Sequence, residues 1–164
     1  MKIVFLDIDG VLNSESFWSD KTQGARYREA VANGCSKTEQ LALANIDPKA
    51  VDLLNKILEE TDAELVISST WRTHLELPEI LAFMGVKKKI YSVTPTTLKR
   101  HRGTEIQMWL DCHPDIDNYI ILDDDSDMLN KQLNHFIHTS WKNGLTLDHV
   151  DKAIKILNNG ATKA

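Results

Sequence analysis

An unbroken apolar run, Ile3-Val4-Phe5-Leu6, passes directly into Asp7-Ile8-Asp9-Gly10-Val11-Leu12. Such a run reads as a strand buried on both faces, as in a parallel sheet covered by helices. Residues two apart in an extended chain point the same way, so Asp7 and Asp9 leave the strand on one side and Ile8 on the other. Two carboxylates this close repel unless a cation or a shared proton offsets the repulsion. Gly10 lets the backbone turn where a side chain would obstruct it. The acid pair therefore belongs at the carboxyl end of a first strand, where open α/β sheets place their ligands. A plain Asp-Gly turn would also account for Asp9-Gly10 taken alone, so the rest of the chain has to decide.

The later apolar runs repeat the theme. Ala63-Glu64-Leu65-Val66-Ile67-Ser68 reads as a second strand, Lys89-Ile90-Tyr91-Ser92-Val93 as a weaker one, and Tyr119-Ile120-Ile121-Leu122 as another apolar one. Phe136-Ile137-His138 is a short last strand. Between them lie helical patterns. Asp47 caps a helix with Pro48 in its first position and Val51, Leu54, Ile57 and Leu58 as its apolar stripe. Further helices are expected near residues 75–84, ending at Gly85, over Thr104–Cys112, near 126–134, and over Leu147–Leu157. Strands alternating with helices predict an α/β fold, a three-layer α/β/α sandwich around a mostly parallel, Rossmann-like sheet. The polar segment 14–47 is too long for an ordinary connection. It is expected to be an insertion, partly helical around 25–32 and 38–44, forming a small cap over the acid pair.

The 164 residues fit one domain with a real core, taken as residues 1–164. A net charge of −5 argues against a general nucleic-acid coat protein but leaves room for a local basic groove. No apolar run is long enough to span a bilayer, and the N-terminus lacks a signal-peptide pattern. Cys35 and Cys112 lie far apart and read as reduced thiols, so a cytoplasmic location is expected. His74, His113, His135, His138 and His149 lack a partner pattern and read as structural or exposed.

Asp123-Asp124-Asp125 follows the strand Tyr119–Leu122, repeating the opening arrangement of apolar strand and then carboxylates. If the two strands are neighbours, their acids converge and offer the hard oxygen ligands that Mg2+ requires. A solvated acidic loop capping the next helix is the alternative. Ser68, Ser69, Thr70, Trp71 and Arg72 follow the second strand, where hydroxyls and free N–H groups can bind phosphate oxygens or simply cap a helix. Trp71 reads as core rather than as a base-stacking platform. Lys99, Arg100, His101 and Arg102 form a basic run before Gly103 and the next helix. A cation aimed from there into the acids would hold phosphate, and a solvated basic loop is the competing reading.

These residues together resemble the haloacid dehalogenase superfamily of phosphohydrolases. The resemblance rests on Asp7-Ile8-Asp9-Gly10-Val11-Leu12, then Ser68, then a basic residue before the Gly103 helix, then Asp123-Asp124, in the family's order. Val66-Ile67-Ser68-Ser69-Thr70-Trp71-Arg72, Arg102-Gly103-Thr104-Glu105-Ile106 with Trp109-Leu110, Ile121-Leu122-Asp123-Asp124 and Asn143-Gly144-Leu145-Thr146 narrow it. They look like the phosphatase-type domains found alone or in RNA-repair proteins, relatives of polynucleotide 3′-phosphatases.

The resemblance implies a Mg2+-dependent phosphomonoesterase. Asp7 would be the nucleophile that forms an aspartyl-phosphate. Asp9 would act as general acid and then general base, with its backbone carbonyl on the metal. Asp123 would complete the metal site with Asp7, Asp124 would be a second ligand or a hydrogen-bond acceptor behind the ligands, and Ser68 would donate to a phosphate oxygen. Arg102, where many relatives carry lysine, would be the cation, with Lys99 and Arg100 as rivals. Gly10, Ser69, Arg72, Lys99 and Arg100 are the expected substrate-binding residues. The expected substrate is a nucleotide or a nucleic-acid 3′-phosphate end, and the expected partner a phosphorylated small molecule or a nucleic-acid end, with no membrane involved. A small-metabolite phosphatase or phosphotransferase, and a non-catalytic module that binds phosphorylated ends, are the alternative functions.

Overall fold

The computed structural model describes residues 1–159. Five strands form one sheet: β1 (Lys2–Leu6), β2 (Glu64–Ile67), β3 (Ile90–Val93), β4 (Asn118–Asp123) and β5 (Phe136–His138). Their order across the sheet is β3-β2-β1-β4-β5 and every pairing is parallel. The apolar first strand thus lies in the centre, and Ile3, Val4, Phe5 and Leu6 are all fully buried. Burying a side chain of this kind stabilises by about 1.5–3 kcal/mol, which is why a central parallel strand reads as a continuous apolar run.

The described residues also form seven α-helices: α1 (Glu15–Ser19), α2 (Lys21–Ala32), α3 (Lys37–Asn45), α4 (Pro48–Thr61), α5 (Leu77–Phe83), α6 (Arg102–Asp111) and α7 (Leu147–Asn159). Alternation along β1 assigns the two faces. Val4 and Leu6 pack with Val51, Leu54 and Leu58 of α4 and Val150 and Ala153 of α7. Ile3 and Phe5 pack with Ile106 and Trp109 of α6, Phe5 meeting Trp109 edge-on with ring centroids 5.3 Å apart. This is the three-layer α/β/α sandwich. Asp47 caps α4 by accepting from the Lys49 N–H, with Pro48 in the first turn, as the local residues require. Residues 14–47 carry α1, α2 and α3, more helix than the sequence suggests. Ser36 and Glu39 start α3 with a reciprocal capping box.

One expected element differs. Residues 126–134 do not form an α-helix; a 3-10 helix occupies Asn130–His135 instead. The preceding segment spends its polar groups on α6. The Asp127 carboxylate accepts from the Arg102 N–H and its carbonyl from the Gly103 N–H. The buried Gln132 side chain donates to the Gly103 carbonyl and accepts from the Leu129 N–H. Those groups are unavailable to a regular helical ladder.

Candidate active site

The parallel ladders continue one residue past the strand ends. Asp7 N–H donates to Leu122 O (2.9 Å), Ser68 N–H to Leu6 O (3.0 Å) and Thr139 N–H to Asp123 O (3.0 Å). Asp7, Ser68 and Asp123 are therefore set side by side at the carboxyl edge of the sheet. The chain then turns sharply, with Val11 and Leu12 N–H both donating to Ile8 O. Gly10 has φ +70, and a Cβ there would lie 2.3 Å from the Asp124 carboxyl carbon. Only glycine permits both that backbone and that approach. Its N–H donates to Asn13 Oδ1 (2.9 Å) and its carbonyl accepts from Thr139 Oγ1 (2.7 Å).

Carboxylate oxygens of Asp7, Asp123 and Asp124 lie within 4.8 Å of one another. Asp7 and Asp123 are buried. Arg102, from the start of α6, reaches into them, with Nη2 3.3 Å from Asp7 Oδ1 and Nε 3.1 Å from Asp123 Oδ2. Burial pushes the Asp7 carboxyl up to about 6, although Arg102 pulls the other way. Burial, and then the neighbouring Asp7 charge, pushes Asp123 up to about 8. Asp124 is raised by burial and by Asp125. One guanidinium does not neutralise three converging carboxylates.

This donor set fits a divalent cation such as Mg2+. It is made of hard oxygens. Asp123 Oδ2 is buried without a hydrogen-bond donor, its 3.1 Å approach to Arg102 being an ion pair outside hydrogen-bond alignment. No donor among the described residues is paired with the Asp9 carbonyl oxygen.

Asp9 is set apart from this cluster. Its Oδ2 accepts from Trp71 Nε1 (3.0 Å) and its Oδ1 from Asn13 Nδ2 (2.9 Å). Asn13 also donates to Asn45 O at the end of α3 (2.9 Å), so the segment that carries α3 helps to hold the acid. Sequence reasoning missed both roles. Trp71 does pack against the larger core cluster, as its sequence reading expects, but no local signal marks the tie of its indole N–H across 62 positions. Asn13, four residues beyond Asp9, is the kind of short-range partner that Asx turns make recognisable.

The remaining candidates fall at different distances from the acids. Ser68 is fully buried and its hydroxyl has no partner among the described residues. The Ser69 hydroxyl accepts from the Trp71 N–H and also favours ionised Asp7. Arg72 commits its guanidinium to Ser68 O (2.6 Å), Ser69 O (3.0 Å) and Glu105 Oε2 (2.8 Å), the last a nearly buried ion pair. In this arrangement it shapes the serine loop. Arg100 is exposed, with φ +47, and lines a cavity of about 120 Å³ with Arg102, Arg72, Thr70, Thr73 and Thr96. Lys99 is exposed and does not line that cavity. Arg102, alone of the three rival cations, has its guanidinium among the carboxylates.

No helix among the described residues is long and apolar enough to cross a membrane. No curated protein and no solved structure matches this chain. A family match does exist, and it runs from the first strand through the acidic strand end into α7: with residues 3–150 matching the HAD domain in Swiss Army Knife RNA repair proteins, the chain belongs to that family of haloacid dehalogenase domains.

Proposed function

We propose that this domain is a Mg2+-dependent phosphomonoester hydrolase that works through an aspartyl-phosphate on Asp7 and acts on phosphorylated nucleic-acid ends, the 3′-phosphate foremost. The observation that carries the reading is the division of labour among the acids. Asp7 sits in a buried cluster against Arg102, while Asp9 is held outside it by Trp71 and Asn13. A site that only bound phosphate would gain nothing from three clustered carboxylates, two of them buried, which repel an anion.

Asp7 Oδ attacks phosphorus, and the bond from phosphorus to the ester oxygen breaks. Asp9 passes a proton to that departing oxygen. In the second half Asp9 takes a proton from water, whose oxygen attacks the phosphorus of the acyl phosphate. Free phosphate leaves and the Asp7 carboxylate is restored. Ser68, with its unpartnered buried hydroxyl, donates to a phosphate oxygen. Arg102 meets the charge on the transferring group. Mg2+ held by Asp7, Asp123, Asp124 and the Asp9 carbonyl would neutralise the phosphate charge that these carboxylates otherwise repel.

The nucleic-acid end as substrate is supported by membership of an RNA-repair domain family. The test is turnover of a 3′-phosphorylated oligonucleotide, a 5′-phosphorylated one and a sugar phosphate, each with Mg2+, by the unmodified chain and by Asp7→Asn. Phosphate release from the 3′ end, lost in Asp7→Asn and in chelator, is the expected result, with acid quenching trapping phosphorylated protein only in the unmodified chain. Turnover that survives in Asp7→Asn rules the mechanism out.

A further inference from the structure

Of the four tryptophans in the chain, Trp109 is buried in the core and Trp71 holds Asp9. The other two stand in the open. Trp18 is 39% exposed and Trp141 51%, yet their ring centroids are 5.0 Å apart with planes tilted by 50°. The pair is held firmly. Trp18 Nε1 donates to Ala44 O (3.0 Å). The Glu15 N–H donates to Trp141 O (2.9 Å) and the Ser16 N–H to Lys142 O (3.1 Å), which joins α1 to the loop after β5.

Both rings are tethered to the site. Trp141 follows two residues after Thr139, whose hydroxyl holds the Gly10 carbonyl, so its backbone is within about 7 Å of that residue. Trp18 grips Ala44 O, and Asn13, which grips Asp9, holds the next carbonyl, Asn45 O. The surroundings are polar, with Ser16, Lys142 and Asn143 all exposed. Beside α1 lies a cavity of about 450 Å³, large enough for a further nucleotide, whose charged lining is balanced, Arg26 and Lys49 against Asp20 and Asp47.

We propose that Trp18 and Trp141 form a stacking platform for the bases of a single-stranded nucleic-acid end whose terminal phosphate enters the Asp7 site. The proposal deepens the phosphatase reading above and rests on it for the phosphate's destination. Two fixed aromatic faces in a polar frame suit the π-faces of unpaired bases, which every sequence presents. Exposed tryptophans also anchor protein partners, and the titration below separates the two occupants. At a net charge of −5 the chain has little general attraction for a polyanion, so a strand held here is held by local stacking rather than by charge.

The experiment is a binding titration of the whole chain with unphosphorylated single strands, from a dinucleotide to a hexamer, as RNA and as DNA, beside a matching duplex. Intrinsic tryptophan fluorescence should be quenched by single strands, with affinity rising as bases are added. Trp18→Ala and Trp141→Ala together should weaken hexamer binding about tenfold or more and flatten the length dependence. The paired Trp→Phe variants, which keep a ring, should retain most of both. A duplex that binds as tightly as a single strand, alanine variants that bind like the unmodified chain, or no binding of strands at all would each overturn the platform, the last leaving the patch to a protein partner. Because these strands carry no terminal phosphomonoester, quenching by them together with no phosphate release from the 3′-phosphorylated oligonucleotide would sink the catalytic reading alone.

Discussion

Gly10→Ala should cost the protein stability and its metal site at once. A side chain at φ +70 carries a left-handed penalty of roughly 1–2 kcal/mol. The new Cβ would also lie 2.3 Å from Asp124 Cγ, far inside the roughly 3.5–4.0 Å of comfortable carbon contact. Relief requires Asp124 to leave its rotamer, at roughly 0.5–1.5 kcal/mol, and its backbone to shift as well, because Asp124 Cβ, which no rotamer moves, would lie 2.7 Å away. The first two costs sum to about 1.5–3.5 kcal/mol, or a Tm lower by roughly 3–14 °C for a domain of this size. Swinging Asp124 away removes one of three clustered carboxylates, so half-maximal activation should need on the order of tenfold more Mg2+. Gly34→Ala is the control, since Gly34 has φ +78 with no atom near the added Cβ. It should show only the backbone penalty and an unchanged Mg2+ requirement. Thermal melts and Mg2+ titrations of p-nitrophenyl phosphate turnover read both effects. If Gly10→Ala melts no lower than Gly34→Ala and needs no more Mg2+, the crowding of Asp124 against Gly10 is not what positions that carboxylate.

Arg102→Ala should lower kcat by on the order of a hundredfold or more, whereas Lys99→Ala and Arg100→Ala should mainly raise KM for polyanionic substrates, an effect that fades with salt; collapse of kcat in either of the latter moves the role. Asp9→Asn should slow a nucleotide phosphate far more than p-nitrophenyl phosphate, whose good leaving group hardly needs a proton, and equal losses would remove Asp9 from the general-acid role. Asp7 and Asp123 bind protons more tightly in the folded chain than in the unfolded one, where a carboxyl titrates near pH ~4. The metal-free fold therefore loses stability as pH rises through about 6 and then about 8, and Mg2+, taking the protons' place, should raise Tm more at the alkaline end of that window than below it. A Tm gain independent of pH would show that the buried acids are not where the ion binds.

Much of this was legible in the sequence because burial writes a simple pattern. A strand covered on both faces must be apolar throughout, so Ile3–Leu6, Leu65–Ile67 and Ile120–Leu122 announced themselves, and the acids after the first and third and the serines after the second marked the sheet edge. Proline and aspartate at the start of α4 were equally direct, since capping is a local transaction. The misreading at 126–134 arose where local propensity yielded to a distant demand, as Asp127 and Gln132 serve the start of α6. Arg72 followed the serine loop as a clamp should, but its charge is spent on Glu105, 33 positions away. Trp71 had the composition of a core residue, and only the folded chain brings its indole N–H to Asp9.

The central place of β1 in the order β3-β2-β1-β4-β5 has a consequence for the sequence of assembly. Asp7 emerges at the beginning of the chain, but Asp123, which clusters with it, belongs to β4 and its cation to α6, 95 positions later. The loop that brings β4 to β1 is longer than the one that brings β2, so we expect β1 and β2 to pair first. On that order the repulsion between Asp7 and Asp123 falls on the later docking of β4. Closing so long a loop is already slow. Mg2+ should accelerate that docking step and leave the earlier pairing untouched, so that refolding kinetics with and without the ion would separate the two halves of the sheet in time.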